Sequence, residues 1–468
     1  MNTEEITAVT APSPRSRPST SVVDVAGATL LPGLHDHHVH LRAWAAARAS
    51  VHAGPPAIVD AYGLAAALRS APEAPGGWIR AVGYHQSVAG NLDRLGLDRL
   101  VKERPVRLQH RSGALWVLNG AALRAVGLAG DRHEIAEPAG AITEIPDGVE
   151  RDGAGRPTGR LWRADGWLRG RLPALPSGQD EHLGAISRVA AARGVTGFTD
   201  ATPDRDDIEM QALAEITDRG LIGQRLHLMA PLGAAAFDAA SHEAHPAVTV
   251  GPVKVLLDDD QLPSIEDLAA GIRAAHLGER AVAVHCVTRV QSVVALAAFE
   301  AAGTVGGDRI EHGALLASEQ LSQIRRLGMT VVTQPGFVAA RGDSYLTDVE
   351  SSDQPDLWRL RSLLRAGVRT AAGTDAPLGP WDPWCGVSAS LSRRTVSGAV
   401  LGGHEAIGRR AAIGLWSGLA AAPWIARRLS PGQPPDLCAL QGSNRDGAAP
   451  TDVMLTVARG VVLHRADS

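Results

Sequence analysis

His38 and His40 stand two residues apart in the segment LLPGLHDHHVHL. On an extended strand, residues i and i+2 project from one face. Both imidazoles would then point the same way and could share a metal ion such as zinc. His35 and His37 would face the other side, where a structural role is expected. Four more polar residues each follow an apolar, β-branched run: Lys254 in GPVKVLL, His285 in AVAVHC, His312 in DRIEHG and Asp375 in AAGTDAP. Any one of them reads equally well as a satisfied polar residue at a strand end. All of them at strand ends on one rim would be a metal site.

Lys254 is the sharpest single choice. Of 46 basic residues only Lys102 and Lys254 are lysine, so a position needing only positive charge would ordinarily hold arginine. A buried ammonium is costly, whereas an amine can take up CO₂ and become a carbamate, an anionic oxygen ligand able to bridge two metals. The plainer reading is an ion pair with Asp258 or Asp259. Asp375 suits a different role. A carboxylate beside an activated water can accept its proton and pass it to a leaving group. A metal ligand or a turn residue before Pro377 is the alternative, and ligand and base are compatible roles.

The elements that must position these residues alternate. Strands are expected at Val195–Asp200, Arg225–Ala230, Val253–Leu257, Val282–His285, Arg309–His312, Thr330–Thr333 and Arg369–Thr374. Helical patterns lie between them at Asp206–Arg219, Ser264–Ala275, Val290–Ala302, Ser318–Leu327 and Asp356–Ala366. Adding Thr29–His40 as the first strand gives eight βα units, which predicts an α/β fold, a (β/α)₈ TIM-type barrel with its site at the strands' C-terminal ends. The barrel is expected over 33–424, with an insertion at 41–193 lying over its mouth. A short strand pair around Ala26-Gly27 and the β-rich tail predict a small, reduced β module built from 22–32 and 425–468. Residues 1–21, rich in Pro, Ser, Thr and Arg, read as a flexible arm.

Composition narrows the class. The chain has 468 residues, 45% hydrophobic and 21% charged, with a formal net charge of −4. Disorder is excluded on that composition. No basic stripe suggests a nucleic-acid partner, and no apolar run approaches the roughly 20 residues of a membrane span. Three widely spaced cysteines argue against a disulfide framework and for a reducing, cytoplasmic setting. The expected partner is a small-molecule substrate, with a homo-oligomer possible in principle.

The ordered set His38, His40, Lys254, His285, His312 and Asp375 resembles the amidohydrolase superfamily. LLPGLHDHHVHL, GPVKVLLDD, DRIEHG, VVTQP, AAGTDAPLGPWDP and LSPGQPPDLCAL are similar to motifs of its amidohydrolase family 3 branch, the N-substituted formamide deformylase-like metal-dependent hydrolases. The resemblance runs from about Val22 to the C-terminus. It implies a hydrolase of non-peptide carbon–nitrogen bonds with two divalent metals, zinc foremost. His38, His40 and Asp375 would hold one ion, His285 and His312 the other, and carbamylated Lys254 would bridge them, the pair sharing a hydroxide. Asp375 would be the catalytic base.

The pattern departs from the branch at Ala114, Gly120, Thr288-Arg289 and Asp259, all at positions bearing on the substrate pocket. Trp116, Asn119 and Arg289 are the candidate substrate-binding residues, against the plainer readings of a buried Trp, an Asn turn and a surface ion pair. Two other readings stand beside the main one. A single-metal deaminase of the same superfamily would want a Glu general acid after the fifth strand, and no His-x-x-Glu pattern follows His285. A non-catalytic scaffold barrel would not need the full ligand set.

Overall fold

The computed structural model describes residues 25, 27–72, 74–128, 147–172, 179–231, 245–430, 436–441 and 452–466. The arm expected over 1–21 and, apart from Val25, the first limb of the hairpin before Gly27 lie outside them. The chain divides into two compact units. One comprises residues 1–41 and 183–468, the other Arg42–His182.

The larger unit is built on parallel strands. One sheet runs in the order Val248–Val250, Arg225–Leu228, Val195–Asp200, Leu34–Val39. A second runs Val253–Val255, Val282–Cys286, Arg309–His312, Thr330–Thr333, Arg369–Ala372. These strands are short and buried on both faces, as expected when helices cover a parallel sheet. The ladders among the described residues form two sheets and do not close an eight-stranded ring.

The break between the sheets has a local cause. Val248–Val250 and Val253–Val255 flank Gly251-Pro252. Pro252 has no N–H to give a ladder. Gly251 N donates to Leu228 O at 2.7 Å, and Val253 N to Ala281 O at 2.7 Å, so the chain changes partners across the proline.

The first strand differs from its expected extent. Thr29–His40 is two elements. Thr29–Pro32 pairs antiparallel with Leu437–Leu440, while Leu34–Val39 pairs parallel with Val195–Asp200. The hinge is Gly33, where a Cβ would lie 2.2 Å from Thr196 Cγ2. Only a glycine lets the chain pass so close to its neighbour. Thr29–Pro32 thereby joins Leu437–Leu440, Val453–Ala458 and Val461–Arg465 in an antiparallel sheet made from both ends of the chain.

Helix starts follow capping chemistry. Ser264 Oγ accepts from Asp267 N at 3.0 Å, and Thr288 forms a capping box with Gln291. Ser318 is the first helical residue rather than the cap; Gln320 Oε1 instead reaches back to Ala317 N at 2.8 Å. The helix expected over Asp356–Ala366 is confined to Arg361–Arg365, because Trp358 at φ +50° turns the chain out of helical geometry. Leu268, Ile272, Leu296, Phe299, Ile310 and Val331 form the core between these helices and the second sheet. Cys286 belongs to the same cluster.

The second unit carries a mixed six-stranded sheet around its own core, which includes Leu64, Leu68, Ile79 and Leu108. Among the described residues no helix is long and apolar enough to cross a membrane.

Gly33→Ala is expected to destabilise the protein by about 1–3 kcal/mol through overpacking. Urea unfolding checks it, and Thr196→Ala in the same chain should recover part of the loss.

Candidate metal centre

The C-terminal ends of the parallel strands bring five of the six sequence candidates into ring or ion-pair contact. His38 and His40 leave the strand Leu34–Val39 with ring centroids 5.4 Å apart. His38 lies 4.7 Å from His312, and His312 lies 4.5 Å from His285. Asp375 Oδ1 is 3.7 Å from His38 Nε2 and 3.3 Å from His40 Nε2. One ligand atom each of His38, His40 and Asp375 falls within 4.8 Å of the others, close enough for one ion. Lys254 is buried within electrostatic reach of His38, His312 and Asp375.

Backbone detail sets this geometry. Asp375 N donates to His38 O at 2.7 Å and His40 N to Ala376 O at 2.9 Å, tying the ends of the first and last parallel strands. Gly373 allows the approach: a Cβ there would sit 2.5 Å from His38 N. His312 and Asp375 both have positive φ, +68° and +55°. Each such non-glycine residue costs of the order of 1–3 kcal/mol and is held by its surroundings. Glu311 and His312 are consecutive and would face opposite sides of a regular strand. The turn at His312 lets both reach His38.

The surrounding shell was missed in the sequence. Glu311 bonds His38 Nδ1 through one carboxylate oxygen and Arg309 Nε through the other. Arg309 Nη2 also donates to His37 O at 3.2 Å. Gln334 Oε1 holds His312 Nδ1 at 2.7 Å. Asp36 accepts from Thr374 Oγ1 at 2.5 Å and Thr374 N at 2.9 Å, locking the two strands side to side. His40 Nδ1 lies 3.4 Å from Thr202 Oγ1, which donates to Asp200 at 2.7 Å, and Arg205 pairs with Asp200 at 2.6 Å. The available signals were Asp36 at the i−2 position to His38 and Glu311 beside His312.

Protonation fits ligands. Burial, with Lys254 nearby, holds His38 well below the ordinary histidine range. Burial lowers His312 as well. Both are therefore the neutral imidazoles a metal needs. Burial opposes ionisation of Asp375, yet His40, His38 and His312 outweigh it and hold the carboxyl well below its usual range. Burial draws Lys254 down to about 8 against the pull of Glu311. Burial pushes Asp36 up to about 7.

Three buried atoms test whether the site suits a cation. Among the described residues, His38 Nε2, Asp375 Oδ1 and Lys254 Nζ have no hydrogen-bond partner. Each buried, unsatisfied group costs about 1–3 kcal/mol. Two imidazole nitrogens and a carboxylate oxygen converging within 4.8 Å are a borderline-soft donor set suited to a divalent ion.

A model of the amidohydrolase family matches residues 21–464. The chain belongs to that family. The N-substituted formamide deformylase of Arthrobacter pascens is 27% identical to this amidohydrolase over 451 residues, covering 83% of this chain and 78% of the relative. The Bacillus subtilis protein YtcJ, named as an amidohydrolase, is 26% identical over 412 residues, covering 81% and 76%. A metal-dependent hydrolase of Pyrococcus horikoshii shares the fold with a TM-score of 0.69 at 19% identity, covering 92% of this chain and 88% of that one. The family makes the present chain a hydrolase of carbon–nitrogen bonds, with a site fit for a divalent metal.

The three candidate substrate contacts each have partners within the fold. Asn119 is fully buried and caps the helix Gly120–Ala125. Its Oδ1 accepts from Val106 N and Ala122 N, and its Nδ2 donates to Val101 O and Arg104 O. That fills its bonding capacity, which corrects the substrate role expected for it. Trp116 is 4% exposed, with Nε1 on Asp165 and guanidinium groups of Arg80 and Arg107 over its ring. Arg289 is paired with Asp353 at 2.7 Å and Asp356 at 3.3 Å.

Gly373→Ala is expected to push the first and last strands apart and reduce metal bound per chain at least tenfold, with the far-ultraviolet circular dichroism unchanged. Elemental analysis of the purified variant checks it.

Proposed function

We propose that this amidohydrolase cleaves a non-peptide, amide-like carbon–nitrogen bond of a small molecule at a two-metal centre, with zinc the first metal to test. The observation that carries the reading is the convergence of His38 Nε2, His40 Nε2 and Asp375 Oδ1, two of these atoms buried with no hydrogen-bond partner. His38, His40 and Asp375 would hold one ion, and His285 and His312 the second. Lys254, as its carbamate, would serve both. A divalent ion bound there supplies a water acidic enough to react near neutral pH and polarises a carbonyl oxygen.

The residues do the rest. Asp375 is ionised and sits at the strand end, where it takes a proton from the attacking water and returns it to the departing nitrogen. One water is consumed, the C–N bond breaks, and an acid and an amine leave. Glu311 fixes the ring of His38 through Nδ1, which directs Nε2 towards the ion. Gln334 does the same for His312. Lys254 has the burial and the depressed pKa that leave a free amine available to CO₂.

We read the two parallel sheets as halves of one (β/α)₈ barrel. Support comes from the strand broken at Gly251-Pro252, which pairs with both sheets, and from the backbone bonds between His38, His40 and the Asp375-Ala376 segment. N-substituted formamides are the first substrates to try, since a relative is named for them.

Metal analysis after purification without chelator and with bicarbonate should give about two ions per chain. One ion, or none after reconstitution, would sink the two-metal reading. Lys254→Arg keeps the charge and cannot carbamylate; it is expected to fold, lose metal and lose turnover. Full metal occupancy in that variant would remove the bridging role. Asp375→Asn is expected to lower kcat by about 10²–10⁴-fold, the range of general acid–base catalysis. A near-normal rate would rule Asp375 out as the base.

A further inference from the structure

The N-terminal ends of the parallel strands hold a cavity of about 470 Å³. It lies at the opposite pole from His38, His285, His312 and Asp375. Residues near the starts of four strands border it: His35, Thr196 with Gly197, Arg225 with Leu226, and Thr249. Pro32 and Asp436 of the terminal β sheet region and the segments 418–420 and 426–428 complete the wall. The volume is within the range of small-molecule pockets, roughly 300–1,000 Å³.

Its charge is one-sided. Among the described residues, three guanidinium groups, Arg225, Arg427 and Arg428, line it against one carboxylate, Asp436. That carboxylate is already engaged: Arg225 Nε donates to its Oδ2 at 2.8 Å, Arg427 Nη1 lies at 3.7 Å, and Arg459 N donates to Oδ1 at 2.7 Å. Positive charge is left over. Arg427 is held in place by Gly33 O and lies 3.5 Å from Thr196 Oγ1, and its buried Nε has no hydrogen-bond partner among the described residues. Arg428 is exposed at the rim. The remaining wall is largely apolar, with Leu226, Pro246, Ala247, Leu419 and Ala420 among it. A fixed cationic edge beside an apolar body is the pattern that orients an anion carrying a hydrophobic group.

We infer that this pole is a second ligand site, separate from the metal centre, for a small organic carboxylate with a compact apolar body. Benzoate is the probe and benzamide its neutral counterpart. In calorimetric titration of the full-length, metal-loaded protein, benzoate is expected to bind and benzamide to bind at least about tenfold more weakly. Metal-stripped protein should bind benzoate equally well, because the cavity uses none of the metal-binding residues. Arg428→Glu, a surface change, is expected to weaken benzoate about tenfold. Ala420→Trp, which fills the cavity, should abolish binding with metal content unchanged. The inference is overturned if benzoate does not bind the folded protein, or if benzamide binds as well. It is equally overturned if binding disappears with the metal, or survives both substitutions; in those cases the anion sits at the metal centre or elsewhere.

Discussion

Asp375 N–H to His38 O, with His40 N–H to Ala376 O beside it, joins the start of the parallel-strand series to its end. The candidate centre depends on that seam. His38 and Asp375 are 337 positions apart in the chain, yet their ligand atoms meet because the backbones carrying them are bonded directly. Gly373 supplies the clearance and Asp36 the second tie, through Thr374. Positive φ at Asp375 then aims the carboxylate at the imidazoles rather than along the strand. The geometry of the centre therefore belongs to main-chain packing as much as to the side chains that would hold an ion.

Electrostatics at the seam follow from burial. Two carboxylates, Glu311 and Asp375, are buried among imidazoles that burial keeps neutral. Uncompensated, such charges are expensive to keep from water. Glu311 is offset by Arg309 and by its bond to His38, so its cost is met by fixed protein groups. Asp375 has His40 and His38 beside it but leaves Oδ1 without a hydrogen bond. One carboxylate is thus built to orient a ring, and the other retains an open coordination direction. The same functional group serves two ends because its neighbours differ.

Much of this was legible in the sequence because strand chemistry is local. The expected strands Val195–Asp200, Arg309–His312 and Thr330–Thr333 match those found, and the candidate ligands fall at strand ends. The misses arise where long-range packing decides. Gly33 splits Thr29–His40 because Thr196, more than 160 residues away, leaves no room for a Cβ. Trp358 interrupts the helix expected over Asp356–Ala366 by adopting φ +50°, which residue type alone does not announce. Asn119 read as a pocket residue, whereas four backbone partners, three of them outside its own helix, make it a cap. Glu311 went unassigned because its role depends on His38 arriving from another strand.

The two buried cations of the centre show why residue type matters there. Arg309 and Lys254 lie on neighbouring parts of one sheet, both close to Glu311. In a chain with 44 arginines and two lysines, arginine is the default. Arg309 is used where a permanent charge and a directed fork are wanted, gripping Glu311 and His37 O at once. Lys254 Nζ has no hydrogen-bond partner among the described residues, and burial has already drawn its pKa to about 8. A purely structural cation would have been given partners, or replaced by arginine. A buried amine displaced towards its neutral form, with His38, His312 and Asp375 as electrostatic neighbours, is the environment that the proposed carbamate would require.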